Sequence, residues 1–221
     1  MRKVIISLAL LLAILVPAYV SATVASVIDA NGVQWTVEEA ISPFGGKKDV
    51  HWFNSAGADG WIAPNGPAGD DLYPSIAINP TSGYPFVVWS RQQDESGRLV
   101  LAHSAWNGYA WSAAQILHSK DGADILYPHA VADSQGTIHV VWIASTATEQ
   151  PAYYGRLTAQ SAFNEVAIYS NPGDLATYPS VRNFEEANSQ ILTYVIINQI
   201  GQGNITLGTE VRVRIHDADP Y

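Results

Sequence analysis

The sequence predicts an all-β fold, a β-propeller-like array of about three four-stranded antiparallel blades, and two recurring features carry that prediction. The first is a repeat. Tyr73-Pro74-Ser75-Ile76-Ala77 returns as Tyr127-Pro128-His129-Ala130-Val131 and again as Tyr178-Pro179-Ser180-Val181-Arg182, at spacings of 54 and 51 residues. Self-similarity at a period of about 40 to 50 residues is the mark of propeller blades. The second is a glycine six residues ahead of a tryptophan, Gly83 to Trp89 and Gly136 to Trp142, with Asn188 and Tyr194 at that spacing in the third copy. Glycine and, next to it, asparagine suit the left-handed turn of a hairpin.

Each copy of the Tyr-Pro motif opens one short strand, and the segment ending at Trp89 or Trp142 supplies a second. A third follows in Leu99-Val100-Leu101-Ala102-His103, in Ala152-Tyr153-Tyr154-Gly155-Arg156 and in Ile205-Thr206-Leu207. A fourth begins at Trp111 and is echoed from Phe163 to Ile168. Four short β-rich segments per period, joined by Gly, Pro and Asn turns, make one antiparallel blade.

Asn31-Gly32-Val33-Gln34-Trp35 has the spacing of Asn107-Gly108-Tyr109-Ala110-Trp111, so the segment from Thr23 to Ile28 is expected to be an outer strand, entering a blade part-way through. The last copy stops short of its own outer strand. An open blade edge leaves backbone N–H and C=O groups unpaired, and three blades are fewer than the roughly four to eight of a closed ring. Two chains joined head to tail, each lending its outer strand, would close a six-bladed homodimer.

Residues 1–22 read as a signal peptide: Met1-Arg2-Lys3 is basic, Val4 to Val16 is apolar, and small residues follow at Val20-Ser21-Ala22. The remaining stretch, residues 23–221, is expected to form the blades, with no membrane span after cleavage. This predicts a secreted, periplasmic or cell-surface protein. The chain has no cysteine, so packing by its seven tryptophans and eleven tyrosines must replace disulfides in an oxidising compartment. Eleven Lys and Arg against twenty Asp and Glu give a net charge of -9, with no basic stripe, which argues against a nucleic-acid partner.

Tyr73 to Ala77, Val87-Val88-Trp89 and Trp106 to Trp111 resemble the repeats of sialidase-like propellers, over about residues 23 to 216. The resemblance implies the fold. Active sialidases of that family use three arginines on the substrate carboxylate, a tyrosine-glutamate nucleophile and an aspartate. None of these carries over, because Arg91, Arg98, Arg156, Arg182, Arg212 and Arg214 stand at non-equivalent places. The Asp-box pattern is incomplete as well, since Ser119-Lys120-Asp121-Gly122 lacks the rest of it.

Two groups of residues are candidate sites. Asp70 or Asp71, Asp124 and Asp174 each precede a repeated tyrosine by a few residues, which puts them at one rim of the array. Carboxylates there could hold calcium or sugar hydroxyls, cap turns, or work as a pair on a glycosidic bond. The other group sits in Pro43 to Gly66, an insertion loop (43-66) that stretches the Trp35 to Tyr73 link to 38 residues where Trp111 to Tyr127 takes 16. It carries His51, Trp52, Phe53 and Trp61, whose rings could stack on sugars or anchor a protein, or pack the loop onto the blade. His103, His118, His129, His139 and His216 lack metal-ligand spacing, so no cofactor is expected beyond that calcium option. The resulting expectation is an exported, non-catalytic recognition module for a glycan or an extracellular surface or matrix protein. A glycoside hydrolase using the rim carboxylates and a structural assembly protein are the alternatives.

Overall fold

The computed structural model describes residues 23–93, 96–158, 163–169, 174–185, 191–201 and 209–216, and the signal-peptide segment lies outside them. Among the described residues fifteen strands form four antiparallel sheets, each meandering outward in chain order. Sheet 1 holds β1 (Val24–Ile28), β2 (Gln34–Ile41), β3 (Lys48–Asn54) and β4 (Asp59–Trp61). Sheet 2 holds β5 (Asp71–Ile78), β6 (Pro85–Gln93), β7 (Arg98–Ala105) and β8 (Gln115–His118). Sheet 3 holds β9 (Asp124–Ala132), β10 (Ile138–Ser145), β11 (Ala152–Leu157) and β12 (Asn164–Tyr169). Sheet 4 has three strands among the described residues, β13 (Asp174–Glu185), β14 (Ile191–Gly201) and β15 (Thr209–His216). Among the described residues no helix is long and apolar enough to cross a membrane.

The architecture is the expected array of four-stranded blades, with one further sheet. The extra blade comes from the N-terminal segment. β1 is the innermost strand of its own sheet and packs against β5; it is not an outer strand awaiting another blade. The stretch 43–66 supplies β3 and β4, so most of the apparent insertion is the outer half of that blade. An Asn-Gly turn followed by an aromatic marks any tight hairpin of a blade, and spacing alone does not separate an inner hairpin from an outer one. With β1 paired along its length to β2, it is not available to be lent to a partner.

The Tyr-Pro motif makes a bulge. Leu72 pairs with Ser90 and Ser75 with Val88, so Tyr73 and Pro74 together oppose Trp89. Tyr127 and Pro128 oppose Trp142 in the same way. Proline has no N–H for the ladder, and the extra residue turns the preceding tyrosine to φ 56° at Tyr73 and 53° at Tyr127, bringing the two rings to 4.4 Å between centroids. A bulge that re-aims a side chain is a recurring device at functional rims. In the third copy Tyr178 and Pro179 oppose Ile197, not Tyr194, because that hairpin runs further, to Glu185 and back from Ile191.

The core lies between sheets. Trp35, Val37, Val50 and Trp52 of sheet 1 pack on Ile76, Val87 and Trp89 of sheet 2. The alternate residues of sheet 2, Phe86 and Val88 with Leu101, pack on Ala130, Ile138, Val140 and Trp142 of sheet 3. Val141, Ile143, Ala152 and Tyr154 then pack on Val181 of sheet 4. Both faces of the middle strands are therefore buried, which explains their unbroken apolar runs and the complete burial of Trp89 and Trp142.

Hydrogen bonds buckle each pair of sheets at the inner strands. Tyr73 N donates to Glu39 Oε1 at 2.7 Å, Ala130 N to Ser75 Oγ at 3.1 Å, and Val181 N to His129 Nδ1 at 3.3 Å. Ser75 and His129 hold the same place in the repeat, two residues after the tyrosine. A buried donor left without its acceptor costs about 1 to 3 kcal/mol. Ser75→Ala is therefore expected to lower stability by that amount in urea denaturation, while Ser75→Thr keeps the acceptor and most of the stability. Equal midpoints for Ser75→Ala and wild type would show that the buckle contributes nothing.

Candidate functional site

Four tryptophans meet where sheets 1 and 2 join. Trp35 and Trp52 stack with centroids 5.5 Å apart and planes at 26°. Trp106 leans on both, at 5.4 Å from Trp35 and 5.3 Å from Trp52, and Trp111 stands 5.7 Å from Trp106. The Trp35 indole is fixed by Asp29, whose Oδ2 accepts Trp35 Nε1–H at 3.0 Å while its Oδ1 takes the backbone N–H groups of Asn31 and Val33. These bonds, the one from Trp35 foremost, hold the Asp29 carboxyl below the usual carboxylate range.

The solvent side of this cluster is an open cleft of about 420 Å³, bounded by Trp52, Trp61, Trp106, Tyr109, Trp111 and the small residues Gly60, Ala63, Ala110, Ser112 and Ala113. None of these carries a charge. Gly60 lies across β3–β4 from Trp52, and a Cβ there would come within 3.1 Å of Trp52 Nε1, so the glycine keeps the indole edge uncovered. The tight turn at Gly108, with φ +100°, lifts Tyr109 to the cleft's lip, where it is 92% exposed.

The loop residues expected to act together divide between the faces of sheet 1. Trp52 turns toward sheet 2 and is 7% exposed. His51 and Phe53 belong to the opposite face by strand alternation, while Trp61, at the end of β4, pairs in register with His51 at 4.9 Å between rings and also borders the cleft. His51 Nδ1 lies 3.2 Å from Glu38 Oε1 and its Nε2 3.8 Å from Asp59 Oδ2. Trp106, Tyr109 and Trp111 read in the sequence as an ordinary outer hairpin and not as site residues. Their signal was the density of aromatics in Trp106 to Trp111, which exceeds what one hairpin needs.

The rim aspartates act across blades. Asp70 Oδ1 accepts Lys48 N at 2.8 Å, and Asp124 Oδ1 accepts Leu99 N at 3.0 Å, so each holds the start of the third strand in the preceding sheet. Asp124 also lines a small polar hollow with Arg98 and Ser96. Asp174 begins β13, and its side chain lies outside the described residues. Asp71 is closed to solvent, with Arg91 Nη1 at 3.5 Å from its Oδ2. Arg91 is held by Ala63 O at 3.0 Å and Asn65 Oδ1 at 2.7 Å. Asp49, equally buried, accepts Asn65 N at 2.8 Å, and neither Asp49 Oδ2 nor Asp71 Oδ1 has a hydrogen-bond partner. Burial pushes the Asp71 carboxyl up to about 7, against the opposing pull of Arg91. The Trp89 indole N–H also favours its ionised form but lies outside hydrogen-bond geometry, and Asp49 and Asp70 add to the rise. Among the described residues no three His, Asp or Glu side chains converge on a metal position.

A second buried polar group escaped sequence reasoning. His139 is fully enclosed between Asp133, whose Oδ2 lies 3.0 Å from Nε2, and Tyr154, whose hydroxyl lies 2.6 Å from Nδ1. Asp133 Oδ1 meanwhile takes the N–H groups of Gln135 and Thr137 in the β9–β10 turn. The group ties that turn to β10 and β11 and has no opening to solvent.

No protein family and no curated protein matches the chain. Solved structures of similar fold do. A Hadza microbial sialidase aligns with a TM-score of 0.62 at 11% identity, over 88% of this chain and 44% of that one. The α-L-arabinanase of Penicillium chrysogenum complexed with arabinobiose aligns at 0.57 and 14%, over 87% and 66%. An N-acetylgalactosamine deacetylase from F. plautii, in complex with blood group B trisaccharide, aligns at 0.59 and 10%, over 86% and 69%. The likeness is one of fold, a sialidase-like propeller. The chain spans under half of the sialidase and about two thirds of the other two.

The raised pKa of Asp71 has a thermodynamic consequence. An unfolded aspartate loses its proton near pH 4, whereas the folded one keeps it to about 7, so between those values the folded state binds more protons. Stability then falls as pH rises across that window, by at most about 1.4 kcal/mol per unit, and levels off above it. Urea midpoints measured from pH 4.5 to 8 should decline in the wild type and decline less in Asp71→Asn, which imitates the protonated acid. Identical slopes would show that Asp71 ionises freely in the folded chain.

Proposed function

We propose that the chain is an exported carbohydrate-binding propeller module that holds a neutral saccharide in the aromatic cleft between the outer edges of sheets 1 and 2. The cleft carries this reading. Its volume suits a small ligand, and its tryptophan and tyrosine surfaces offer the flat apolar faces on which the C–H side of a sugar ring stacks. With no charged residue in its lining, it has nothing to pair with the carboxylate of an acidic sugar, and burying such a group unpaired is costly. That favours neutral sugars over sialic or uronic acids.

The rim supports hydrolysis less well. Asp70 and Asp124 already accept backbone N–H groups, and Asp49 and Asp71 are shut away from any substrate. The solved proteins of similar fold act on or hold saccharides, an arabinobiose and a blood-group trisaccharide among them. The apolar N-terminal segment after Met1-Arg2-Lys3 is consistent with delivery to a compartment where surface glycans are met.

The test is a titration of the full chain with neutral and acidic oligosaccharides, read by tryptophan emission and by calorimetry. A neutral saccharide is expected to bind and shift the emission. Tyr109→Ala, at an exposed turn, should weaken binding about tenfold, equivalent to about 1.4 kcal/mol. Gly60→Leu, which would cover the Trp52 edge, should abolish it while the chain stays folded. A panel in which no neutral sugar binds, or a folded Gly60→Leu chain that binds as wild type does, would remove the proposal.

A further inference from the structure

The cleft between sheets 1 and 2 is unequal in the hydrogen bonds it can offer. Its side chains are four indoles, one phenol, one serine hydroxyl and the glycine and alanines between them. An indole donates and cannot accept, while glycine and alanine side chains do neither. The serine is already engaged, since Ser112 Oγ accepts Ala105 N at 3.2 Å and has Ala113 O at 3.2 Å for its own proton. Other lining carbonyls are engaged as well. Ala63 O accepts Arg91 Nη1 at 3.0 Å, Ser112 O accepts Ser104 Oγ at 2.8 Å, and Ala110 O accepts Asn107 N at 3.1 Å.

One donor is left over where a ligand would lie. Trp35 Nε1–H is satisfied by Asp29 at 3.0 Å, but Trp52 Nε1–H has no acceptor among the described residues. It stands at the ring edge beside Gly60, where a Cβ would come within 3.1 Å of the nitrogen. Trp111 Nε1 also lacks an acceptor, though it is closed to solvent. The edge of an aromatic ring is its positive side, so the Trp52 edge attracts an oxygen lone pair and repels a cation. Ala63, Ala110 and Ala113 leave apolar room beside the rings.

A sugar hydroxyl matches such a surface poorly, because it carries a proton that needs an acceptor of its own. An acyl carbonyl accepts without a proton, and the methyl group attached to it suits apolar walls. We propose, on the reading that the cleft holds a neutral saccharide, that its preferred ligand is an N-acetylated hexosamine, the acetamido carbonyl accepting Trp52 Nε1–H and the methyl group lying among the rings and alanines. In a trans amide the N–H points opposite to the carbonyl, and so toward the open side of the cleft. The parent amino sugar, a cation at neutral pH, brings only donors to a donating edge. The parent neutral sugar can accept, but leaves its hydroxyl proton unpaired.

The experiment titrates the full chain by calorimetry with methyl glycosides of a gluco and a galacto series, each made of the acetamido, ammonium and hydroxyl sugar. The indole N–H signals are followed by NMR. In at least one series the acetamido sugar is expected to bind about tenfold more tightly than the other two, and to shift the Trp52 Nε1–H signal. Gly60→Ala, whose methyl group would cover Trp52 Nε1 and leave the ring in place, should bring the acetamido and hydroxyl sugars to within about twofold of each other. Trp52→Phe keeps a ring and removes the N–H, and should do the same; circular dichroism reports whether each variant is folded. A preference for the acetamido sugar that survives a folded Gly60→Ala chain overturns the inference. Tighter binding of the ammonium sugar overturns it in favour of ring faces that hold a cation. Binding of neutral sugars without regard to the acetyl group overturns this inference alone, whereas a chain that binds no neutral sugar removes the saccharide reading with it.

Discussion

Everything in this fold depends on the seam between successive sheets. A single four-stranded antiparallel sheet of this size cannot bury its apolar residues, and the middle strands here are apolar on both faces, so each sheet is stable only when sandwiched. The seam has two parts. Interdigitated side chains such as Trp89, Val87, Phe86 and Val88 supply the burial. Side-chain acceptors at the inner strands and the rim aspartates at the third strands fix the angle and register at which the faces meet. Area is non-directional, and the hydrogen bonds supply the direction that area lacks.

The candidate site is a product of the same seam. Trp35 and Trp52 come from β2 and β3, Trp106 and Trp111 from the hairpin that follows β7, and only the packing of sheet 1 on sheet 2 brings them together. The cleft is what remains when large rings pack at the outer edge of a seam whose partners across the gap are glycine, alanine and serine. The rim, by contrast, spends its polar groups on holding the blades. Asp71, Asp49 and Arg91 form a closed polar joint in which one carboxyl keeps its proton near neutrality because burial outweighs the nearby guanidinium.

Much of this was legible in the sequence. The Tyr-Pro period, the Gly-to-Trp spacing and the turn residues determined that the chain is all-β, that it is built of antiparallel blades, and that Trp89 and Trp142 are core, because these are local properties of strands and turns. The period also located the rim aspartates, though not their partners: Asp70 reaches Lys48 and Asp124 reaches Leu99 across two different sheets. Only the tertiary structure decided that the N-terminal segment is a four-stranded blade, that the third tyrosine-proline pair faces Ile197, and that Trp52 joins Trp106 and Trp111 while His51 and Phe53 turn to the other side. Those outcomes rest on register and on which sheet lies against which. A shift of one residue sends a side chain to the opposite face, and sheet-to-sheet packing joins residues tens of positions apart, so neither quantity is written in the spacing of any one segment.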